Sequence, residues 1–218
     1  MNVVIFVSGI DTDAGKTYAT GFLASSYMRQ GKKVATVKFI QTGCDGYSDD
    51  IETHRKIMGV DLPEDSEGLT APIIFTYPAS AQLAARLDGK NIDLSKIDSA
   101  IDELRKKYDV VLIEGAGGLM VPITDDFFSI DYPLSRNLPV ALVTNSVLGS
   151  INHTVLSLEA LASRGMTVHS VLYNTYFDKD PVIAADTQEF IKRYIEKKIP
   201  DTQWIEVPVW RNEEGFII

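Results

Sequence analysis

The sequence alternates short, apolar, β-branched runs with longer stretches of helical periodicity. Strands are predicted for the six runs NVVIFVS, KVATVKF, DVVLIEG, PVALVTN, TVHSVLYN and QWIEVPV. Their residues are apolar on both faces, which is typical of a parallel sheet covered by helices. Helices are predicted near residues 16–30, 80–88, 94–107, 150–164 and 181–197, each long enough to connect parallel strands. The pattern predicts an α/β fold: a doubly wound, mostly parallel sheet with helices on both faces.

Bulk properties favour a single domain over residues 1–218. A chain that is 45% hydrophobic can bury a substantial core, and only the segment 59–78 is irregular enough to be interpreted as surface connection. The net charge of −9 disfavours general attraction to nucleic acid or anionic membranes. The single cysteine, Cys44, suits a reducing compartment, and neither a signal peptide nor a membrane span is recognisable. We therefore expect a cytoplasmic protein that binds neither nucleic acid nor membranes.

The first predicted strand leads into SGIDTDAGKTY, residues 8–18. A strand, a turn holding Gly9 and Gly15, and a helix beginning near Lys16 form the context of a phosphate-binding loop. In such a loop the N–H groups of the helix start bind phosphate oxygens. Lys16 would contact the β and γ phosphates, and the Thr17 hydroxyl would bind Mg²⁺. Five residues separate the two glycines instead of the usual four, which lengthens the arch without moving its Gly-Lys-Thr end. The alternative interpretation is a glycine turn with a surface lysine.

Charged residues also lie at the ends of two other predicted strands. VKFIQTG places Lys38 and Thr42 at the carboxyl edge of the sheet, where open α/β sheets bind ligands. A lysine there either finds an anionic partner or extends to water. DVVLIEGAGG brings Glu114 to the same edge, and we interpret this carboxylate as a Mg²⁺ ligand beside the phosphates, with helix capping as the alternative.

Two predicted helix starts are open to more than one interpretation. In YSDDIETH, capping alone explains Asp49 and Asp50, and His54, four residues after Asp50, does not suffice to predict a metal site. In LGSINHTV, the N–H groups of residues 150–152 either bind an anion or are capped by Ser150 itself. The sequence does not separate these interpretations.

Taken in order, these segments resemble the dethiobiotin synthetase family. GIDTDAGKT is similar to the family's G-T-D-T-x-x-G-K-T, which also holds five residues between its glycines, and departs from it only at Ile10. VKFIQTG, SDD, EGAGGLMVPI and LPVALVTNSVLGSINHTVLSLEAL match further family segments, and LYNTY and EVPVW correspond more loosely to a nucleotide-base loop and the last strand. Phe39 replaces the family's proline after Lys38, and Ala81-Gln82 replaces a Pro-His pair, which leaves the role of Gln82 open. The matches span nearly the whole chain.

The resemblance implies an ATP-dependent cyclo-ligase of biotin biosynthesis with a P-loop NTPase-like fold. In the implied reaction, one amine of 7,8-diaminononanoate captures CO₂ as a carbamate, whose oxygen attacks the γ-phosphate of ATP. The second amine then closes the ureido ring of dethiobiotin with loss of phosphate. Lys16 and Lys38 are implied to stabilise the transferring phosphoryl group, and Thr17, Asp49 and Glu114 to hold Mg²⁺. No general base is assigned, because alignment and exclusion of water matter most.

The resemblance also implies a set of binding residues and a partner subunit. The ATP-binding set is Asp13, Ala14, Gly15, Lys16, Thr17, Tyr18, Asp49, Glu114, Gly115, Ala116, Gly117, Asn174, Pro208, Val209 and Trp210. Asn174 and the segment after Pro208 are expected to recognise the base, whose identity the sequence leaves open. The diamine or its carbamate is expected at Thr42, Gly117, Gly118, Ser150, Ile151 and Asn152. The last three are implied to complete a neighbour's site, so the active unit is expected to be a homodimer.

Other proteins that share the loop are alternatives of different kinds. Partitioning and septum-positioning ATPases carry a second lysine early in the loop, where this chain has Ile10 or Asp11. Synthetases that amidate a corrinoid side chain normally carry a glutaminase domain, for which 218 residues leave no room. A non-catalytic nucleotide-binding module is a further alternative, and turnover dependent on the diamine would distinguish the enzyme from a switch protein.

Overall fold

The structure, a computed structural model, describes residues 2–211. Its centre is a six-stranded sheet in the order β10-β9-β8-β1-β5-β2, and every neighbouring pair in it is parallel. A parallel pair β3-β4 and an antiparallel pair β6-β7 lie outside this sheet. The strands are β1 Val3–Gly9, β2 Val34–Lys38, β3 Gln41–Thr42, β4 Ile74–Phe75, β5 Val110–Gly118, β6 Pro122–Thr124, β7 Phe127–Phe128, β8 Val140–Thr144, β9 Val168–Asn174 and β10 Gln203–Val207.

Helices form the connections between the long strands. All five predicted helices are present, with ends that differ from the predicted ones by a few residues. The helices are α1 Lys16–Arg29, α2 Asp49–Met58, α3 Pro63–Ser66, α4 Ala81–Leu87, α5 Ser95–Leu104, α6 Asp131–Ser135, α7 Ser150–Ala162 and α8 Pro181–Lys198. Between residues 2 and 211, none of them combines the length and the apolar character needed to cross a bilayer.

The sheet separates two hydrophobic layers, because successive strand residues point to opposite faces. In β1, Val4 and Phe6 join a core that includes residues of α4, α5, α7 and α8. Ile5 and Val7 point the other way and join a second core with residues of α1 and α2. Each fully buried aliphatic or aromatic side chain contributes roughly 1.5–3 kcal/mol to folding. The doubly wound α/β fold predicted from the sequence is confirmed.

Residues 59–78 are more ordered than a surface connection. The segment contains α3 and β4, and its Ile73 and Phe75 side chains are buried. The Lys38 N–H donates to the Thr70 carbonyl at 2.7 Å, so the segment satisfies part of the outer edge of β2. The segment is a connection with most of its side chains exposed or half-buried, as expected, and hydrogen bonds to the distant strand β2 give it an order that no periodic apolar pattern predicts.

The register of the sheet brings residues of three neighbouring strands to one level. Glu114 of β5 pairs with Val7 of β1 on one side and with Lys38 of β2 on the other. Phe39 then donates its N–H to the Glu114 carbonyl at 2.8 Å, a bond that proline could not make, and its ring is buried against Phe6. The departure at position 39 therefore fixes the exit of β2 beside Glu114.

Candidate active site

The turn between β1 and α1 presents the start of a helix at the carboxyl edge of the sheet. Its last residue, Gly15, has a φ of 88°, and Asp13 has a φ of 58°, in the left-handed region that aspartate tolerates. A Cβ at Gly15 would lie 2.0 Å from Nδ2 of Asn174, so both backbone conformation and space require glycine there. The first N–H groups of α1 have no acceptors within the helix and are available to an anion.

Lys38, Asp50, Glu114 and Thr17 meet in front of this helix start. Oε1 of Glu114 accepts a hydrogen bond from the Lys38 Nζ at 2.8 Å, and Lys38 Nζ lies 2.5 Å from Oδ2 of Asp50. The Thr17 hydroxyl lies 2.7 Å from Oδ1 of Asp50 and 3.0 Å from Oε1 of Glu114. One ammonium group thus bridges two carboxylates that also share a hydroxyl. The arrangement is a compact set of oxygens around a positive charge.

Asp50, and not Asp49, occupies the acidic position of this cluster. Both residues lie in the first turn of α2, where Ser48 is the N-cap and accepts the N–H of Ile51. Consecutive helical residues point about 100° apart, so only one of the two can face Thr17. Asp49 is exposed and accepts a hydrogen bond from Cys44 Sγ at 3.4 Å. Among residues 2–211, Asp50 and not Asp49 contacts Thr17, and the expectation that Asp49 holds Mg²⁺ stays a prediction.

The buried charges of the cluster stabilise one another. Burial by itself raises the pKa of Glu114, but the charge of Lys38 and the hydrogen bonds from His54 and Lys38 outweigh it, and the pKa lies well below its ordinary range. Burial lowers the pKa of Lys38, yet Glu114 and Asp50 overcome this effect and raise that pKa above its usual value. Glu114 and Lys38 are therefore both charged, as a buried ion pair.

Lys16 lies in the same site with its charge directed at the loop. Its Nζ donates to the carbonyl of Asp11 at 2.9 Å, and the residue is buried. Burial lowers the pKa of Lys16, and the neighbouring Lys38 lowers it further, while Glu114 opposes both effects. The second ammonium group of the site is thus held by a backbone carbonyl within the phosphate-binding loop.

His54 extends the cluster behind Glu114. Its ring is fully buried, with Nε2 2.7 Å from Oε2 of Glu114 and Nδ1 3.0 Å from Oγ1 of Thr36. Thr36 in turn accepts a hydrogen bond from Nη1 of Arg55 at 2.9 Å. The spacing of Asp50 and His54, one helical turn apart on α2, was the sequence pattern that could have placed both beside Glu114.

A cavity of about 350 Å³ opens in front of the cluster. Ala14, in the loop between β1 and α1, is buried. The backbone carbonyl of Gly115 lies 3.4 Å from the Lys38 Nζ. Sequence reasoning missed four of the lining residues: Thr12, Ile40, Gln41 and Asp50. The lining residues that it had predicted as site residues are Asp13, Gly15, Lys16, Thr17, Tyr18, Lys38, Thr42, Glu114, Ala116 and Gly117.

A second cavity, of about 240 Å³, adjoins the other side of the loop. Asn174 of β9 pairs with Val207 of β10, so the segments after both strands leave the sheet at the same edge. The cavity is lined by the predicted residues Gly15, Tyr18, Asn174, Pro208, Val209 and Trp210, together with Tyr176. The residues expected to recognise a base therefore lie together, although three of them, Pro208, Val209 and Trp210, come from the loosely matched end of the chain.

Residues 150–152 lie apart from both cavities. They begin α7, and the Ser150 hydroxyl is buried without a hydrogen-bond partner in the part of the chain that the structure describes. Gly118, also predicted to bind substrate, lines a different cavity of about 250 Å³ with Met120, His153 and Leu156 among its walls. Within one chain, Gly118 and the start of α7 are therefore not brought into the cavity that holds Lys38.

The sheet order and the loop geometry define an α/β protein of the phosphate-binding-loop class. A family model described as an AAA domain matches residues 4–202. The fold is similar to that of the pNOB8 ParA protein bound to nonspecific DNA, with a TM-score of 0.58 and 15% identity over 98% of this chain and 88% of that one. It is also similar to a plasmid partition protein from Borrelia burgdorferi bound to AMPPNP, with a TM-score of 0.55 and 12% identity over the same shares. At such identities the likeness shows the fold alone.

Sequence comparison narrows this class to one family. The chain is 50% identical over 203 residues to ATP-dependent dethiobiotin synthetase BioD 2 of Pasteurella multocida, covering 93% of this chain and 95% of that protein. It is 49% identical over 196 residues to ATP-dependent dethiobiotin synthetase BioD of Chlorobaculum tepidum, covering 88% and 82%. The chain therefore belongs to the ATP-dependent dethiobiotin synthetase family, and the resemblance found in the sequence is confirmed.

Proposed function

We propose that this chain, as a single domain, converts 7,8-diaminononanoate, CO₂ and ATP to dethiobiotin, ADP and phosphate. The observation that carries the proposal is the convergence of Lys16 and Lys38 with the Thr17–Asp50–Glu114 oxygens at the start of α1. Every intermediate of the reaction is anionic, and these groups supply cations and oxygen ligands in one place. Membership of the dethiobiotin synthetase family supports the assignment of the substrates.

Mg²⁺ fits the oxygen set of the cluster. The carboxylates of Asp50 and Glu114 already contact a cation, the Lys38 ammonium, and both carboxylates also contact the Thr17 hydroxyl. Mg²⁺ prefers oxygen ligands and keeps most positions for phosphates and water, so two carboxylates and a hydroxyl suffice. Among residues 2–211, no group of three or more His, Cys, Asp or Glu side chains is placed to hold a metal ion. When bound, Mg²⁺ neutralises charge on the phosphates.

The side chains of the site act by position and charge. The N–H groups of the α1 start and Lys16 bind the phosphates, for which Lys16 exchanges the Asp11 carbonyl that holds it here. Lys38 lies beside the carbamate oxygen as that oxygen attacks the γ-phosphorus and ADP leaves. The second amine then attacks the carbonyl carbon of the resulting carbamic-phosphoric anhydride, the bond from that carbon to the phosphate oxygen breaks, and phosphate leaves. Lys38 stabilises negative charge in both steps.

The diamine is proposed to bind in the cavity in front of the cluster and to extend toward a second subunit. Thr42 and Gly117 line that cavity, and they contact the diamine or its carbamate. Ser150 of the partner subunit, with the N–H groups that follow it, binds the substrate carboxylate. Two features support a subunit contact there: the buried Ser150 hydroxyl has no partner within the described residues, and Val147 and Leu148 beside it are 50% and 82% exposed. The active unit is accordingly a homodimer.

The adenine of ATP is proposed to occupy the cavity on the far side of the loop. Asn174 Oδ1 accepts the Tyr176 N–H, and its Nδ2 lies 3.4 Å from the Ala14 carbonyl, so the amide is oriented between loop and cavity. The rings of Tyr18, Tyr176 and Trp210 among the lining residues offer apolar surface to a base. Pro208 and Val209 complete the pocket.

The proposal is tested by measuring phosphate release from ATP with and without the diamine and bicarbonate, together with the mass of the organic product. We expect phosphate release to require both co-substrates and to match the cyclic urea formed one to one. A switch ATPase would ignore the diamine. Phosphate release that does not respond to the diamine, or the absence of cyclic urea from the complete mixture, would contradict the assignment.

A further inference from the structure

A directed chain of hydrogen bonds runs from α2 through β2 to Glu114. Arg55 is anchored at one end by Asp65, whose two carboxylate oxygens each accept a guanidinium N–H at 2.7 Å. Arg55 Nη1 donates to Thr36 Oγ1, which contacts His54 Nδ1, and His54 Nε2 contacts Glu114 Oε2. The reaction as derived above makes no use of Thr36, His54 or Arg55.

The carboxylate of Glu114 sets the direction of its link to His54. An ionised carboxylate can only accept, so Nε2 of His54 carries the hydrogen that it donates to Oε2 of Glu114. On the other side of the ring, Thr36 Oγ1 accepts from Arg55 Nη1 and lies 3.0 Å from Nδ1 of His54. Arg55 and Thr36 therefore hold the imidazole that donates to Glu114.

The two oxygens of Glu114 are thereby divided between two tasks. Oε2 accepts from His54, whereas Oε1 faces Thr17 and Lys38, where the ligand oxygens converge. The carboxylate is 1% exposed, so water does not compete for either oxygen. Loss of the His54 bond would leave Oε2 buried without its hydrogen bond, and the carboxylate would be free to rotate about its terminal torsion.

We propose that His54 is a positioning residue of the active site, which holds Glu114 with one oxygen turned toward the divalent cation. This inference rests on the proposed function, since it concerns the cation that accompanies ATP. Hydrogen-bond partners behind metal-ligating carboxylates orient them, and Mg²⁺ and Mn²⁺ tolerate little deviation from octahedral geometry. Thr36 and Arg55 act one and two steps further back by holding the imidazole ring in place.

The test compares His54→Asn with His54→Gln in the full chain. The shorter asparagine amide can replace Nδ1 toward Thr36 but does not reach Glu114, whereas the Nε2 of glutamine can donate to Oε2. Thr36→Val keeps the imidazole and removes the hydroxyl that contacts its Nδ1. His169→Asn is the matched control, because His169 contacts Tyr27 and Ser170 instead. The readouts are binding of Mn²⁺ to the protein–ADP complex by electron paramagnetic resonance and binding of ADP in EDTA, with no diamine present.

We expect His54→Asn to weaken Mn²⁺ binding roughly 10–100-fold, with ADP binding in EDTA within about twofold of the parent chain. His54→Gln should recover most of this loss, Thr36→Val should show an intermediate loss, and the control should show none. The inference is overturned if His54→Asn binds Mn²⁺ like the parent chain, or if glutamine and asparagine lose equally. It is also overturned if metal-free ADP binding falls by the same factor.

Should His54→Asn fail to fold, Thr36→Val decides the matter, because parent-like Mn²⁺ binding in that variant would refute the hydrogen-bond chain. Failure of the proposed function is distinguishable from failure of this inference. The former appears as a parent chain that forms no cyclic urea, whereas the latter is measured by metal binding in the absence of diamine.

Discussion

Replacing Lys38 with methionine removes the ammonium group that contacts both Asp50 and Glu114. Loss of one partner of a buried ion pair typically costs about 3–5 kcal/mol, because the remaining charge is left uncompensated. Here Glu114 keeps its His54 and Thr17 contacts, and Asp50 has a side chain that is 23% exposed, so the lower end of that range applies. Protonation of a carboxyl group with an ordinary pKa costs about 4 kcal/mol at pH 7.5, which sets an upper limit. We therefore expect a loss of about 3–4 kcal/mol in the free energy of unfolding.

The assay is thermal unfolding in EDTA and in excess Mg²⁺, with Lys32→Met, a change at an exposed lysine in the turn after α1, as the control. A loss of this size lowers Tm by roughly 6–16 °C for a chain of this length. Mg²⁺ at about 100 times its Kd should return roughly 2.7 kcal/mol to the Lys38 variant, because the two carboxylates are then free to bind it. The parent chain and the control should gain less, since the ammonium competes for the same oxygens.

Two results would refute this reasoning. One is a Lys38→Met chain as stable in EDTA as Lys32→Met, which would mean that Asp50 and Glu114 do not depend on the ammonium. The other is an equal gain from Mg²⁺ in all three chains, which would mean that the divalent cation binds elsewhere. The Lys38 variant should also form no dethiobiotin, because Lys38 is proposed to stabilise the anionic steps.

Three further predictions follow from the same contacts. Asp50→Asn should lower Mg²⁺-dependent turnover at least about tenfold, as expected for a metal ligand, while Asp49→Asn should stay within about twofold, measured by Mg²⁺ titration of phosphate release; equal losses would contradict the placement of Asp50. Gly15→Ala should abolish ATP binding in equilibrium titrations, because its Cβ would lie 2.0 Å from Nδ2 of Asn174; tight binding would refute the loop geometry. Glu114 has a folded pKa below its unfolded value of 4.5, so its contribution to stability is present above that pH and is lost as pH falls. The free energy of unfolding, measured in urea below pH 4.5, should therefore fall less steeply with pH in Glu114→Gln than in the parent chain, by up to about 1.4 kcal/mol per pH unit. An equal slope in the two chains would contradict the ionised, buried state of Glu114.

The fold could be predicted because its strands carry their own sequence pattern. Parallel strands covered on both faces must be apolar throughout, and the runs around Ile5, Val111 and Leu142 satisfy that condition without reference to the rest of the chain. The segment 59–78 could not be predicted in the same way. Its order comes from hydrogen bonds such as that between Lys38 N–H and the Thr70 carbonyl, which join residues far apart in sequence.

The sequence predicts which strands and helices contribute to the site, but not in every case which of their side chains face it. Lys16 begins the helix after β1, Lys38 ends β2, and Glu114 lies in β5 level with Lys38, so their proximity follows from the order and register of the strands. The choice between Asp49 and Asp50 depends on how α2 is rotated about its axis, and capping by Ser48 sets that rotation. The spacing of Asp50 and His54 places both on one face of α2, but that spacing does not identify Glu114, sixty positions away, as the partner of His54.

The central claim is that a carbamate oxygen, held beside Lys38, attacks the terminal phosphate of ATP. The most direct measurement uses ¹⁸O-labelled bicarbonate with ATP and 7,8-diaminononanoate, followed by mass analysis of both products. If the carbamate oxygen becomes the bridging oxygen of the anhydride, one label per turnover appears in inorganic phosphate and one in the carbonyl of the cyclic urea. Cyclic urea formed with unlabelled phosphate would contradict the account, as would release of phosphate without any cyclic urea.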